Sequence, residues 1–327
     1  MNAPENSTAP ILGLHHVTAI ASDPQRNLDF YTAVLGLRLV KLTVNFDDPG
    51  TYHFYFGDGE GHPGTILTFF PWPDAKRGAA GNGQTNEIAF AVPPGSREFW
   101  RARLEAHGVK SEPLTEHFGD VGLRFEDPDG MSAALIEDAD APEAHTWARG
   151  GVPVEAALRG LRSVTLSLEN YAHTAQLLTE QLGFRLEKSE GARTRFAIGA
   201  GGAGRTLDIL CRPAGPQARS GAGIVHHIAW RVSDDAAQEA RRRQLTAARY
   251  NVSPVMDREY FHSIYFREPG GVLFEIATDP PGFTVDEALE TLGTHLKLPA
   301  QYEPARKEIE QIVLPLRLPP THEAVRD

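Results

Sequence analysis

The sequence predicts an α+β protein made of four tandem βαβββ units, with units one and four paired and units two and three paired. Two observations predict the units: an internal repeat at a constant offset, and the same order of strand, helix and turn signals in each repeat. The clearest repeat aligns residues 13–41 with 160–188, where ten of 29 positions are identical without a gap. A third observation, the distribution of metal-ligand residue types, predicts the pairing.

A second set of repeats divides each half of the chain again. Residues 87–92 resemble 227–232, and residues 125–130 resemble 266–271. The N-terminal half is predicted to cover residues 1–150, with unit one at about 11–71 and unit two at about 84–138. The C-terminal half covers residues 151–327, with unit three at about 158–212, unit four at about 223–278 and a C-terminal tail after it.

Each unit begins with a short apolar strand, continues with a helix and ends with three further strands. In unit one the first strand covers residues 14–20, and Ser22 or Asp23 can cap the helix that follows. Pro24 suits the first helical turn, and Gly36 is a residue type that commonly ends a helix.

Composition excludes several classes of protein. The chain of 327 residues is long enough for two domains, and its single cysteine excludes an intramolecular disulfide and cysteine-rich metal clusters. Thirty-two Lys and Arg against 43 Asp and Glu give a net charge of −11, which argues against a nucleic-acid or anionic-membrane partner. No apolar stretch approaches the roughly 18 residues of a membrane span. Met1–Pro10 lacks the pattern of a signal peptide, so we expect a cytoplasmic protein.

Two pairs of adjacent histidines are the main functional signal. His15-His16 lies in the first strand of unit one and His226-His227 lies at the same place in unit four. Histidine makes up only 13 of 327 residues, so a chance match of both pairs is rare. Units two and three have other residues at this place, so the fold itself does not require histidine there.

Glu275 joins the histidines as a candidate metal ligand. It lies in the apolar last strand of unit four, where an unpaired carboxylate is costly. Two imidazoles and one carboxylate form the set that holds non-haem Fe(II) and leaves coordination positions open. Only one of two adjacent strand residues can point into a given pocket. We choose His16 and His227 as ligands because they lie on the same strand face as Thr18 and Ala229, while the flanking apolar residues lie on the other face. His15 and His226 would then lie beside the ligands or at the pocket rim, and an exchange within either pair stays open.

The three ligands come from opposite ends of the chain and therefore predict how the units pair. Units one and four must lie side by side to bring them together, which leaves units two and three to pair. The positions that match Glu275 in units one, two and three are Thr68, Ala134 and Asp208. Asp208 could form a second site with Glu87 and Ser163, but that set contains no imidazole, so we expect no metal there.

Three further residues near the site are candidates for roles in chemistry or binding. Tyr265 lies in the third strand of unit four and could donate a proton to an oxygen atom or orient it; the alternative is a tyrosine that fills the core. Arg258 and His262 lie just before Tyr265, and either could hold an anionic oxygen. Their alternative is ion pairing at the surface.

Several motifs resemble those of a known superfamily. Tandem βαβββ units with metal ligands on their first and last strands resemble the vicinal oxygen chelate superfamily, which includes glyoxalase I and the type I extradiol dioxygenases. More closely, residues 14–18, 35–41, 63–71 and 225–229 resemble motifs of the hydroquinone-cleaving ring dioxygenases, such as chlorohydroquinone and methylhydroquinone dioxygenases. The resemblance covers about residues 11–318.

This resemblance implies a role for individual residues. It implies that Fe(II), with Mn(II) as the alternative metal, is bound by His16, His227 and Glu275. It implies a substrate pocket lined by His15, Thr18, His226, Arg258 and Tyr265. Among these and the neighbouring His262, our candidates for catalysis are His226, Tyr265 and His15, and our candidates for substrate binding are Thr18, Arg258 and His262.

The resemblance also implies the reaction, in which both atoms of O2 are inserted into a hydroquinone-like aromatic ring. Three alternatives remain open: a catechol extradiol dioxygenase, a glyoxalase-like metal-dependent isomerase or transferase, and a protein that binds a small aromatic compound. The expected partners are a small aromatic substrate, O2 and further copies of the chain in a homo-oligomer.

Overall fold

In the computed structural model, the chain forms two eight-stranded mixed sheets. The structure describes residues 9–114, 118–143, 146–147 and 149–319, so most of Met1–Pro10 and the end of the predicted tail lie outside the described residues. The strands are β1 Gly13–Ala21, β2 Arg38–Asn45, β3 Asp48–Gly57, β4 Ile66–Pro71, β5 Gln84–Val92, β6 Ser111–Pro113, β7 Gly122–Glu126, β8 Ser132–Glu137, β9 Leu161–Leu168, β10 Arg185–Glu190, β11 Arg193–Ala197, β12 Thr206–Cys211, β13 Val225–Val232, β14 Met256–Asp257, β15 Phe261–Arg267 and β16 Leu273–Pro281. The α-helices are α1 Pro24–Asp29, α2 Arg97–Ala106, α3 Ala172–Gln176, α4 Asp235–Ala247 and α5 Arg306–Ile312.

The strand order confirms the predicted pairing of the units. The first sheet has the order β14-β15-β16-β13-β1-β4-β3-β2, so it joins units four and one. The second has the order β10-β11-β12-β9-β5-β8-β7-β6 and joins units three and two. At the centre of each sheet, the first strands of the two units run antiparallel, as β1 with β13 and β5 with β9. We call the first sheet with its helices module one and the second module two.

The helix of unit one begins where the sequence predicts. Asp23 caps it, because its carboxylate accepts a hydrogen bond of 2.9 Å from the backbone N–H of Arg26. The helix widens in its last turn, where the N–H of Leu35 donates to the carbonyl of Phe30, five residues earlier. Gly36 then leaves the helix with a φ of +72°, a conformation that favours glycine. Among the described residues, no helix is long and apolar enough to cross a membrane.

The segment after β16 packs against unit one and closes one side of module one. The fully buried ammonium group of Lys41 on β2 binds the carboxylates of Asp286 and Glu287. Phe283 packs on Tyr55 of β3, with their ring centroids 5.2 Å apart. Further along, the Tyr302 hydroxyl donates to the carbonyl of Phe46 at 2.7 Å. The segment therefore supports the side of the sheet that carries the histidine pairs.

Candidate metal centre

His16, His227 and Glu275 meet at the centre of module one. They lie on the neighbouring strands β1, β13 and β16. The Nε2 atoms of the two histidines are 3.2 Å apart, and Glu275 Oε2 lies 3.4 Å from the first and 2.9 Å from the second. All three side chains are buried. Within the described part of the chain, this is the group of His, Cys, Asp or Glu side chains whose geometry could hold a metal ion.

The spacing of these atoms fits a metal ion. An ion about 2.1 Å from three ligand atoms at right angles separates them by about 3 Å, which is close to the observed distances. The Oε2 atom of Glu275 is buried and makes no hydrogen bond of normal geometry within the described residues. A buried carboxylate oxygen without a donor is costly, so a cation shared with the two imidazoles supplies the missing partner.

The ionisation of the group also suits a divalent cation. Burial alone would raise the pKa of Glu275, but His16 and His227 hold that pKa well below its usual value. Burial lowers the pKa of His227, with Glu275 opposing the shift. An ionised carboxylate beside a neutral imidazole is the state in which these groups bind metals.

Hydrogen bonding fixes which ring nitrogen of His16 is free to bind a metal. His15 Nε2 lies 3.1 Å from the carbonyl oxygen of Thr278, which can only accept, so His15 donates there. Its Nδ1 must then accept from the Nδ1–H of His16, 2.9 Å away. The Nε2 lone pair of His16 is thereby directed at the other two ligands. His15 thus lies beside the ligand and not in the cavity next to it, although it was predicted as a pocket residue.

His226 holds a similar position beside the second ligand, but it does face the cavity. Its Nδ1 lies 2.7 Å from Nδ1 of His227, which leaves Nε2 of His227 for a metal. Burial, with His227 nearby, lowers the pKa of His226 to about 3, so the ring is neutral at physiological pH. Because Nδ1 of this neutral ring accepts from His227, its Nε2 carries the proton and can donate a hydrogen bond into the cavity.

A cavity of about 320 Å³ opens above the three candidate ligands. Its walls carry several aromatic rings and a few polar groups, which is typical of a site for a small aromatic molecule. Besides the ligands, it is lined by Thr18, Asn45, Phe46, Asp47, His53, Tyr55, Phe70, Trp72, His226, Arg258, Phe261, Tyr265 and Leu273.

Tyr265 and Arg258, both predicted from the sequence, form one polar group in the wall. The Nε–H of Arg258 donates to the Tyr265 hydroxyl at 3.1 Å, and its Nη2 lies 3.3 Å from a carboxylate oxygen of Asp47. Burial raises the pKa of Tyr265, so its hydroxyl keeps a proton that it can donate. Thr18 also lines the cavity, and its hydroxyl lies 2.7 Å from that of Thr68.

The structure does not bring His262 to the cavity. Its Nδ1 lies 2.6 Å from the carboxylate of Asp235 at the start of α4. His262 lies three positions before Tyr265, and an odd spacing in a strand places side chains on opposite faces. The alternation of side chains along β15 therefore already indicated that His262 faces away from the site.

Two polar residues of the site were not singled out from the sequence. The Ser263 hydroxyl donates to Glu275 Oε1, so it orients the carboxylate. His53 lines the cavity from β3, where it occupies the position that Ser263 has in β15. The sequence carries a signal for His53, because it lies two residues before Tyr55, and Tyr55 has the place in β3 that Tyr265 has in β15.

The register of the strands shows what occupies the place equivalent to Glu275 in unit one. Glu275 lies beside Ala229, two residues after His227, and Thr68 lies beside Thr18, two residues after His16. Thr68 therefore stands where a symmetric module would have a second carboxylate. Its hydroxyl is already in contact with other side chains. Thr68 therefore adds no carboxylate to the three candidate ligands.

In unit three of module two, the equivalent position is Asp208. It lies beside Thr165 in the same register, and it is bound by Arg193 and Arg195 at 3.1 and 2.7 Å. Glu87, at the position of a histidine, is bound by Arg124. These ion pairs occupy the carboxylates that a second metal would need.

Comparison with known proteins agrees with this architecture. A model of the glyoxalase/bleomycin resistance protein/dioxygenase superfamily matches residues 13–135 and 160–276. The chain belongs to this superfamily. The resemblance drawn from the sequence motifs is therefore confirmed, and the two matched segments fall on the two halves of the internal repeat.

Within the superfamily, the chain is similar to proteins named as ring-cleaving dioxygenases. It is 48% identical to the "Putative ring-cleaving dioxygenase MhqO" of Bacillus subtilis, over 94% of this chain and 97% of the relative. It is 36% identical to the chlorohydroquinone/hydroquinone 1,2-dioxygenase of Sphingobium indicum, over 91% of this chain and 94% of the relative. A crystal structure of a dioxygenase, described as putative, from Bacillus subtilis superposes with a TM-score of 0.91 at 47% identity, covering 95% of this chain and 99% of that one.

Proposed function

We propose that this protein is an Fe(II)-dependent dioxygenase that opens the ring of a hydroquinone-like para-diol and inserts both atoms of O2. The observation that carries the proposal is the set of three protein ligands with Thr68 at the fourth place. Two histidines and one carboxylate leave open positions for a phenol oxygen and for O2. The similarity to proteins named as ring-cleaving dioxygenases supports the reaction class, and one of those names specifies hydroquinone.

The residues of the cavity suit an aromatic diol. Phe70, Trp72 and Phe261 provide flat apolar walls for a ring, and the volume of about 320 Å³ accommodates a single ring with small substituents. Bound Fe(II) would supply a Lewis acid for the phenol oxygen and electrons for O2.

The polar wall residues would handle the protons of the reaction. Tyr265, whose hydroxyl accepts from Arg258, keeps its own proton available for an oxygen atom formed near the metal. His226 is neutral and accepts from His227 at Nδ1, so its Nε2–H can donate a hydrogen bond to a substrate oxygen in the cavity. The apolar walls exclude bulk water from the reacting atoms.

Among the described residues no fourth His, Cys, Asp or Glu joins the three candidate ligands, which separates this proposal from a glyoxalase-like isomerase. An isomerase of this superfamily would act as a Lewis acid without consuming O2, and Thr68 supplies no carboxylate to complete such a centre. Catechol and hydroquinone differ only in the placement of the second hydroxyl, so substrate comparison is needed to separate them.

Oxygen uptake after anaerobic loading with Fe(II) tests the proposal. Hydroquinone, methylhydroquinone and catechol are compared at equal concentration, with Mn(II)-loaded protein in parallel and His16→Ala as the variant without a ligand. We expect rapid uptake with the hydroquinones, little with catechol, and none in the variant. No uptake by protein with a measured equivalent of iron would refute a dioxygenase, and uptake mainly with catechol would refute the para-diol.

A further inference from the structure

His53 is a partly buried polar group in the cavity wall that the steps above do not use. It projects from β3, and its ring packs between two aromatic rings, with centroid distances of 4.1 Å to Tyr55 and 4.4 Å to Phe70. A histidine held between aromatic rings has little freedom to turn. His53 is therefore a fixed hydrogen-bonding group in a wall that is otherwise largely apolar.

One ring nitrogen of His53 is engaged by the protein and the other is not. Nε2 lies 3.0 Å from the Thr68 hydroxyl, which in turn lies 2.7 Å from the Thr18 hydroxyl. Nδ1 has no hydrogen-bonding partner among the described residues, and the side chain lines the cavity. The atom left for a ligand is therefore Nδ1.

The surroundings of His53 keep its ring neutral. Burial chiefly, with the nearby His16, His227 and Arg258, holds the pKa of His53 well below its usual value. A neutral imidazole has one donor and one acceptor nitrogen. With Nε2 occupied by a hydroxyl that can donate or accept, Nδ1 can adopt whichever role a ligand requires. A hydroxyl group, which also donates and accepts, is the matching ligand chemistry.

His53 lies at some distance from the candidate metal ligands but in the same cavity. β3 is separated from β1 by β4 alone, so their backbones lie about 10 Å apart at the usual strand spacing. A flat ring with one oxygen beside the candidate ligands can extend from β1 toward β3, where His53 lies. A para-diol carries its second hydroxyl at that far end of the ring, whereas a catechol carries both hydroxyls at the metal end.

We propose that His53, through Nδ1, binds the substrate hydroxyl at the end of the ring away from the metal. The inference rests on the proposed function and makes His53 a residue that selects para-diols over single phenols and catechols. The Thr68 and Thr18 hydroxyls position the imidazole by holding Nε2.

Ligand binding without turnover tests this role. The Fe(II)-loaded protein is titrated without oxygen with hydroquinone and with phenol, which lacks the second hydroxyl, and tryptophan fluorescence reports binding. In the wild type we expect hydroquinone to bind about three- to tenfold more tightly than phenol, the range of one neutral hydrogen bond. In His53→Gln, whose amide lies where Nε2 was, this ratio should fall to one. In His53→Asn, whose amide lies where Nδ1 was, much of the ratio should return.

A wall substitution and a metal assay separate the role of His53 from general damage. Leu273→Ala removes apolar surface from the cavity wall on β16, which β13, β1 and β4 separate from β3, and it should weaken both ligands equally, with the ratio unchanged. Iron content, measured for every variant, should stay at the wild-type value. An equal loss of both ligands in His53→Gln, or an unchanged ratio, would overturn the inference. Because the assay needs no turnover, a wild type that binds hydroquinone with the expected preference but consumes no O2 would refute the proposed function alone.

Discussion

Replacing Ser263 by alanine tests how the protein prepares Glu275 for a metal. The Ser263 hydroxyl donates to Glu275 Oε1, and both side chains are fully buried. A hydrogen bond to a charged group contributes about 1.5–3 kcal/mol. The Ser263 hydroxyl orients the carboxylate so that Oε2 faces the histidines before a metal ion binds. In Ser263→Ala the carboxylate must be oriented during metal binding, which lowers the metal affinity.

The expected result is metal binding that is weaker by about 10- to 100-fold, the range found when a hydrogen bond to a metal ligand is removed. Isothermal titration of the metal-free protein with Mn(II), and with Fe(II) under anaerobic conditions, measures the change. Ser233→Ala is the matched control, because the Ser233 hydroxyl contacts only the exposed Asp234 carboxylate in the described structure. An affinity of Ser263→Ala within about twofold of the control would refute the reasoning that the hydroxyl prepares the site.

Three further predictions concern the fourth ligand position, the C-terminal segment and pH. Thr68→Glu places a carboxylate at the register position equivalent to Glu275. This fourth ligand would fill a coordination position that the substrate or O2 needs, so oxygen uptake with hydroquinone should be abolished while the metal is retained. Uptake at the wild-type rate would contradict the need for an open coordination position. Lys41→Met leaves the Glu287 carboxylate without its buried partner, and urea unfolding should show a loss of about 3–5 kcal/mol, whereas an unchanged midpoint would contradict it. The pKa of His53 is lowered in the folded protein, so its contribution to the free energy of unfolding is present above pH 6.5 and is lost as the pH falls. Below that pH, the free energy of unfolding of the wild type should fall by about 1.4 kcal/mol per pH unit more than that of His53→Asn. Equal pH slopes of the two proteins in urea unfolding would contradict this.

The pairing of the units could be predicted because chemistry supplied the long-range information that local patterns lack. Hydrophobic periodicity indicates strands but does not say which strands are neighbours. The requirement that His16, His227 and Glu275 share one ion does say so, and it places β1, β13 and β16 together. The repeat also predicted that Thr68 is the counterpart of Glu275, since equal spacing from the preceding turn gives equal register.

The remaining side chains of the site were harder to predict, for identifiable reasons. His15 is held by the carbonyl of Thr278, a contact between residues far apart in the sequence, so strand alternation alone could not place its ring. His262 could have been placed by alternation, which sets it opposite to Tyr265. His53 lay on the correct face of β3, but an isolated histidine in a strand is usually a residue of the core. Only the cavity reveals that one of its nitrogens is left for a ligand.

Module two repeats the strand arrangement of module one but carries ion pairs at the place of the candidate ligands, and this gives a further prediction. Arg193 and Arg195 of β11 occupy the positions that Ser263 and Tyr265 have in β15, so two guanidinium groups bind Asp208 where module one has two imidazoles and a serine hydroxyl around Glu275.

Asp208→Asn removes this charge and leaves the buried Arg193 without a carboxylate. We expect a loss of about 3–5 kcal/mol in urea unfolding, the usual cost of breaking a buried ion pair. We also expect one equivalent of iron per chain in both wild type and variant, measured after anaerobic loading. Two equivalents in the wild type, falling to one in Asp208→Asn, would show instead that Asp208 is a metal ligand and that the ion pairs open to admit a second ion.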